Sequence, residues 1–441
     1  MGRMRLCFGV LRVALSAVLV LTLHSFAAAQ HFSRSERAQA EEMLKNVAAD
    51  VRDYYYDPAF HGVAWEAAVQ EAKAQIAKAN SYGEAFVQIE ALVEKLRDSH
   101  TFFVPPHEEV DYGLRFQMIG EHCYVTQVKP GSDAASQGIK PGDEIATIAG
   151  FTPARDSLWR LKLATEVLTP MDSLEFGFLD GSARQLRKVI VKSHVRPTKT
   201  ILDLRDMTGL DQQSMRLRLE EEQRLMRIRT AEFGRPLIVI KLPVFVQDAF
   251  AIEGVIDKAR AHDTLILDLR GTPGGAVDSV RAWLDYFFSR DLKFADCNRR
   301  GKSTSEIAKT QHNHVFGGKL IVLMDSSSAS GAEVLARVIQ LEKRGIVLGD
   351  LSAGATMGSR LHGHRTGVYT YATSVTDADL RMNDGKGIEG IGVTPDEKVL
   401  PSARDLREGF DPAMSRAAEM AGVKLSPEEA GKLFPYEWPK E

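Results

Sequence analysis

The chain has 441 residues, 44% hydrophobic and 26% charged, with a formal net charge of −3. That length allows two or three domains, and the balance is that of an ordinary globular protein, not a fibrous, disulfide-stapled or disordered one. No concentrated basic stretch stands out, which sets nucleic acid aside as a partner.

Residues 1–29 come first. Arg3, Arg5 and Arg12 precede the apolar run "VALSAVLVLTL", and the small residues Ala27–Ala29 follow it. This is the layout of a secretory signal peptide cleaved after Ala29; the run is short for a membrane span, so none is expected after cleavage. Cleavage removes three arginines and no acids, taking the charge to −6. Cys7 leaves with the segment. Cys123 and Cys297 remain, enough for one disulfide at most, and their spacing does not say whether it forms.

Residues 30–104 read as an N-terminal helical domain. "AEEMLKNVAADVRDYYY", "AWEAAVQEAKAQIAKA" and "YGEAFVQIEALVEKLRD" place apolar residues at three- and four-residue steps, and "DSHTFFVPP" ends the pattern. Over residues 108–195 the period changes to short alternating segments with glycine turns, including "GLRFQMIGEHCYVTQV" and "GIKPGDEIATIAG". This segment resembles a PDZ domain, a β-rich α+β fold. The resemblance implies that Gly113, Leu114, Arg115 and Phe116 form a loop whose backbone N–H groups receive a peptide's C-terminal carboxylate, the peptide adding as a strand.

Residues 196–235, with "DQQSMRLRLEEEQRLMRIRTAEF", predict a charged helical connector. From 236 to 405 apolar strands alternate with helices: "RPLIVIKLPVF", "AFAIEGVIDKARA", "TLILDLRG", "AVDSVRAWLDYFF", "KLIVLMD" and "GIVLGD". The alternation predicts an α/β core with a largely parallel sheet, and residues 406–441 read as a C-terminal tail. Reactive groups in such sheets collect beyond the carboxyl ends of the strands. "DLRGTPGG" (268–275) and "LMDSSSASGAE" (323–333) both lie there. The serines read as helix caps or as a nucleophile held at a strand-to-helix turn. "DLRGTPGG" lacks the "GK[ST]" of a phosphate loop, which leaves a bare turn able to approach another chain and act as an oxyanion donor.

Helical entry, PDZ-like segment, "DLRGTPGG" and "SASGAE", in that order, resemble the C-terminal-processing (tail-specific) serine peptidases. The resemblance implies a ClpP/crotonase-like α/β peptidase core. In the pattern S-A-S-x-[SA]-E the nucleophile falls on Ser330, leaving Ser326, Ser327 and Ser328 as cap and turn residues. The processing peptidases take their base from a lysine in "GEPTxGKG"; this chain reads "GDLSAGATMG", with Ala355 at that position. The tricorn-core-like branch instead uses a Ser-His-Ser-Glu tetrad. "LRDSHT" supplies Ser99 and His100, and "IEGIGVTPD" supplies Glu389. The resemblance implies His100 as general base, Ser99 and Glu389 as its orienting groups, and an oxyanion hole from the N–H groups of Gly331 and of Gly274 or Gly275.

The expectation is an exported serine endopeptidase, periplasmic or secreted, acting through an acyl-enzyme on unfolded chains or proteins with free C-termini. It needs no cofactor or metal, and its oligomeric state stays open. A catalytically inactive peptide-binding pseudopeptidase on the same scaffold is the first rival, favoured by the missing lysine. A metallohydrolase is the second: His312/His314 and His362/His364 are i, i+2 pairs that would share a strand face, but there is no "HExxH" and no third ligand. Lys386, in the glycine-rich turn "NDGKGIEG", reads as a solvated lysine and not as a substitute base.

Overall fold

The computed structural model describes residues 32–106, 108–180, 185–197, 221 and 223–439. The expected signal peptide and most of the expected connector lie outside the described residues. Among those described, no helix is long and apolar enough to cross a membrane.

Three helices open the chain: α1 (Arg34–Tyr54), α2 (Trp65–Ile76) and α3 (Tyr82–Val93). Ser33 and Glu36 start α1 with a reciprocal capping box, Ser33 Oγ accepting from Glu36 N–H and the Glu36 carboxylate from Ser33 N–H. The apolar stripe Met43, Leu44, Val47, Val51 meets Ile76, Phe86 and Ile89 in one buried core. Phe103, Tyr371 and Val375 belong to that core too, so the helices rest on a sheet. The chain enters that sheet as β1 (Phe102–Val104).

A compact β unit follows. β2 (Glu108–Asp111) leads into β3 (Leu114–Ile119), β4 (His122–Val128), α4 (Asp133–Ser136), β5 (Glu144–Ile148), α5 (Leu158–Lys162), β6 (Ser173–Asp180), β7 (Gln185–Lys192) and β8 (His194–Pro197). β3 to β7 form an antiparallel five-stranded sheet in sequence order, with β3 at an edge. Phe116, Val125, Ile145, Phe176 and Val191 fill its core. β2 pairs with β8, so the unit's entry and exit are stapled together.

The rest is two sheets and their helices. The elements are β9 (Arg229–Phe233), β10 (Leu237–Lys241), α6 (Ala249–Ala259), β11 (Thr264–Asp268), α7 (Val277–Asp285), β12 (Leu292–Arg299), β13 (Lys302–Ala308) and β14 (Lys319–Met324). After them come α8 (Gly331–Leu341), β15 (Gly345–Gly349), β16 (Gly358–Thr366), β17 (Tyr369–Met382), β18 (Glu397–Lys398), α9 (Ala403–Glu408), α10 (Pro412–Met420) and α11 (Pro427–Gly431). The order β18-β15-β14-β11-β10-β9 is parallel throughout except for the edge pair β9–β10. Its strands are apolar on both faces because both are covered. Ile238, Ile240, Leu265, Leu267 and Val322 pack on Ile252, Trp283 and Leu335 of α6, α7 and α8. Leu237, Val239, Ile266, Ile321 and Leu348 point the other way, onto Met414, Ala417 and Ala418 of α10.

Two expectations are corrected here. The charged helix does not run through Phe233: residues 229–233 form β9, which pairs with β10 while Ala231 and Phe233 pack onto the second core. Residues 406–441 are no loose tail, since α10 and α11 cover one face of the main sheet. A second, antiparallel sheet, β1-β17-β12-β13 with β16 on β17, joins the N-terminal helices to the core.

Candidate active site

The site grows from neighbouring strand ends. β11 and β14 are parallel with Asp268 opposite Leu323, so the two loops that follow emerge side by side. They are tied by Leu269 N–H to Leu323 O at 2.9 Å and Ala329 N–H to Thr272 O at 2.9 Å. The Asp325 carboxylate accepts Gly271 N–H at 2.9 Å and Ser327 N–H at 3.0 Å. Beneath them, Arg270 grips Asp268 and Asp411, and Lys241 lies 3.3 Å from Asp268. Burial opposes ionisation of Asp268, but the Arg270 and Lys241 cations outweigh it and hold its carboxyl well below the usual range.

Ser330 sits where β14 turns into α8. Its φ of +51° and ψ of −117° form a backbone conformation that a non-glycine residue adopts only when its surroundings enforce it. The enforcing contacts are Ser330 N–H to Ala355 O at 2.6 Å and to the Glu333 carboxylate at 3.1 Å. Gly274 lies against it, since a Cβ there would come 2.5 Å from Ser330 Cβ and 3.0 Å from Gly331 N. Among the described residues, no hydrogen bond engages the N–H of Gly274, Gly275 or Gly331. The other three serines divide. Ser328 Oγ donates to Leu269 O at 2.9 Å within the crest. Ser326 and Ser327 reach the β unit instead, donating to Met118 O at 2.5 Å and Gln117 Oε1 at 3.3 Å.

A second group comes from far off in sequence. After Arg97, in the left-handed region at φ +55°, Asp98 shapes the turn. Its carboxylate accepts His100 N–H at 3.0 Å, Thr101 N–H at 2.7 Å and the Thr376 hydroxyl at 2.7 Å. Ser99 Oγ lies 2.7 Å from His100 Nδ1 and donates to Glu389 at 3.0 Å. Glu389 also accepts Ser99 N–H and Thr356 N–H, both at 2.8 Å. A hydroxyl has one proton; with it directed at Glu389, Ser99 Oγ accepts from Nδ1–H, which leaves Nε2 with the lone pair a base requires. Burial lowers the His100 pKa below its ordinary value, with Asp98 pulling the other way. Burial raises that of Glu389, against its hydrogen bonds from Thr356 and Ser99.

Ser330 and Glu389 are fixed to consecutive residues of one strap, Ala355 O and Thr356 N–H. The relay is not closed: among the described residues no hydrogen bond joins Ser330 Oγ to His100. Ala355 brings its backbone, not a base, to Ser330. Lys386 is exposed on a turn. His312 and His314 occupy a short 3₁₀ turn, so they do not share a strand face. His362 stacks on Tyr54 at 4.3 Å, and His364 Nε2 lies 2.7 Å from Asp50. Cys123 and Cys297 are free and lie in separate cores.

Gly113 lies just before β3, and Leu114, Arg115 and Phe116 open the strand. Gly113 has φ +70°, and a Cβ there would lie 2.3 Å from Ser132 Cβ. The Phe116 carbonyl on the free edge of β3 accepts from Lys162 Nζ at 2.9 Å, and Arg115 Nε donates to Tyr436 Oη at 3.0 Å. Sequence reasoning passed over Lys241 and Glu333. Lys241 gives only a strand-end lysine as a signal, and Glu333 reads as a helix-capping acid.

By fold, then, this is an α/β protein with an N-terminal helical region and two glycine-rich strand crests around a serine. Residues 237–399 match the model of Peptidase family S41, and residues 36–87 match that of the Tricorn protease C1 domain. The α/β core is therefore similar to the peptidases of family S41. Carboxyl-terminal-processing peptidase 3, chloroplastic, of Arabidopsis thaliana is 23% identical over 372 residues, covering 78% of this chain and 66% of its own length. The tail-specific protease of Haemophilus influenzae is 23% identical, covering 58% of this chain and 36% of its own length. The chain thus spans about two thirds and about a third of these two relatives. Among solved structures, mature CPAF aligns with a TM-score of 0.63 at 14% identity, over 84% of this chain and 94% of that one. The photosystem II D1 C-terminal processing protease aligns at 0.52 and 18% identity, over 90% and 99%. At these identities the likeness is one of fold.

Proposed function

We propose that the chain is an exported serine endopeptidase, cleaving unfolded or C-terminally recognised proteins through an acyl-enzyme. Ser330 is the nucleophile and His100 the general base, with Ser99 and Glu389 orienting the imidazole. Gly331 with Gly274 or Gly275 receives the oxyanion. Attack transfers the Ser330 proton to Nε2, which then delivers it to the leaving amine; water reverses the sequence to free the acid. Each oxyanion N–H contributes about 3–4 kcal/mol to such a transition state.

One observation carries the reading: a half-buried histidine whose Nδ1 is held by a hydroxyl that is itself held by a carboxylate, drawn from opposite ends of the chain. The unit spanning 108–195 acts as a PDZ domain, with Gly113–Phe116 as its carboxylate loop. A docking peptide strand displaces Lys162 from the Phe116 carbonyl. The inactive peptide-binding reading draws on the missing Ser330–His100 bond. Digestion of an unstructured peptide by wild type, Ser330→Ala and His100→Ala separates the two. Cleavage by wild type alone supports the peptidase; equal behaviour of all three ends it.

A further inference from the structure

We propose that Glu333 is a positioning residue that locks the Ser330 turn to the strap and loop carrying Glu389. The inference rests on the serine-peptidase reading and adds a residue to it. Glu333 is completely buried on the first turn of α8. Its carboxylate accepts four donors: Ser330 N–H at 3.1 Å, Ala355 N–H at 2.8 Å, Gly354 N–H at 2.7 Å and Ser352 Oγ at 2.5 Å. No cation pairs with it among the described residues.

Helix capping explains only the first of these bonds. The other three come from the strap about twenty residues onward, and the strap is joined in turn to the Glu389 loop. Gly390 N–H donates to Gly354 O at 2.8 Å, Val393 N–H to Ser352 Oγ at 2.6 Å, and Ser352 N–H to Val393 O at 3.3 Å. The two segments pack backbone to backbone: a Cβ on Gly354 would meet Gly392 N at 3.1 Å, and one on Gly392 would meet Ser352 O at 2.9 Å. Thr356, two residues after Gly354, gives its N–H to Glu389. One carboxylate therefore fixes the spacing between nucleophile and relay without touching substrate. Its four partners are all donors, so it must act as an acceptor at both oxygens. Burial pushes its pKa up to about 7, with the hydrogen bonds from Ser352, Ala355, Gly354 and Ser330 opposing.

Glu333→Gln keeps the shape but offers one acceptor oxygen and turns an amide against N–H groups. The test compares wild type, Glu333→Gln and Ser352→Ala on an unstructured peptide, with circular dichroism to fix the folded fraction and a fluorophosphonate probe to time Ser330 acylation. Loss of charge-assisted hydrogen bonding predicts a kcat about 10- to 100-fold lower in Glu333→Gln, with KM within about threefold and labelling slowed in proportion. Ser352→Ala, which leaves three donors, falls about 3- to 10-fold. A folded Glu333→Gln with kcat within about threefold of wild type overturns the inference, as does a loss carried by KM or equal to the unfolded fraction. If Glu333→Gln does not fold, Ser352→Ala decides, and unchanged kcat overturns it. A wild type that neither cleaves nor labels fails the serine-peptidase reading itself, a result distinct from any of these.

Discussion

Gly274→Ala is the sharpest probe of how the glycine turn serves Ser330. Gly274 has φ +102°, and an added Cβ would lie 2.5 Å from Ser330 Cβ, 3.0 Å from Ala329 O and 3.0 Å from Gly331 N. These atoms belong to the rigid turn, so relief requires moving Ser330 or the glycine loop away from the oxyanion position. Loss of one aligned oxyanion donor lowers kcat about 10²- to 10³-fold. The backbone strain adds about 1–3 kcal/mol of destabilisation. Gly271→Ala is the control: φ is +71°, but nothing lies within 4 Å of the new Cβ. It should lose stability by about 1–2 kcal/mol and retain activity. The assay is kcat/KM on an unstructured peptide, with denaturant unfolding of both variants. A Gly274→Ala enzyme that loses no more activity than Gly271→Ala would refute the placement of this turn at the reacting carbonyl.

The remaining predictions concern protons and the relay. His100 must be neutral to accept a proton, and burial lowers its pKa; the acid limb of kcat/KM should therefore fall below the ordinary histidine value of about 6.5. A limb above that value contradicts the desolvation of the imidazole. Glu90 is buried, accepts Phe103 N–H at Oε2 at 2.7 Å, has no partner at Oε1 among the described residues, and has its pKa raised by burial to about 8. A carboxyl pKa raised on folding lowers stability as pH climbs from about 4.5 through 8, so Glu90→Gln should gain on wild type by several kcal/mol (about 2–5) between pH 5 and pH 9. An identical stability difference at both pH values in urea unfolding rules this out. Ser99→Ala separates His100 from Glu389 and should lower kcat about 10- to 100-fold with little change in KM; unchanged kcat removes Ser99 from the relay.

Much of the site could be read from sequence because its chemistry is local. Ser330 and Gly274 sit at ends of apolar strands, and the strand–glycine–helix pattern marks such ends whatever lies between them. Ser99–His100 and Glu389 come from the resemblance to the tricorn-core-like branch, because on their own a Ser-His pair ahead of a strand reads as a turn and a glutamate in a glycine-rich stretch as a surface loop. What stayed hidden depends on distant partners. Ser326 and Ser327 read as caps, yet they hold Gln117 and Met118 more than two hundred residues away. Glu333 reads as the acid of a capping box, and only the strap folded over it shows the other three donors. The stretch "RIRTAEF" reads as helix because its charges follow a long charged run; the exposed edge of β10 recruits it as a strand instead. The antiparallel sheet built on β17 escaped for a related reason: β17 is largely buried, with Thr373, Ser374 and Thr376 inside, so no alternation of apolar and polar residues announces it.

The central claim is that Ser330 is an activated alcohol whose proton acceptor is His100. Treating the protein with a fluorophosphonate and mapping the adduct by mass spectrometry tests it most directly. The account predicts one adduct, on Ser330, absent in Ser330→Ala and formed far more slowly in His100→Ala. No adduct on Ser330, or equal labelling rates with and without the imidazole, would contradict it.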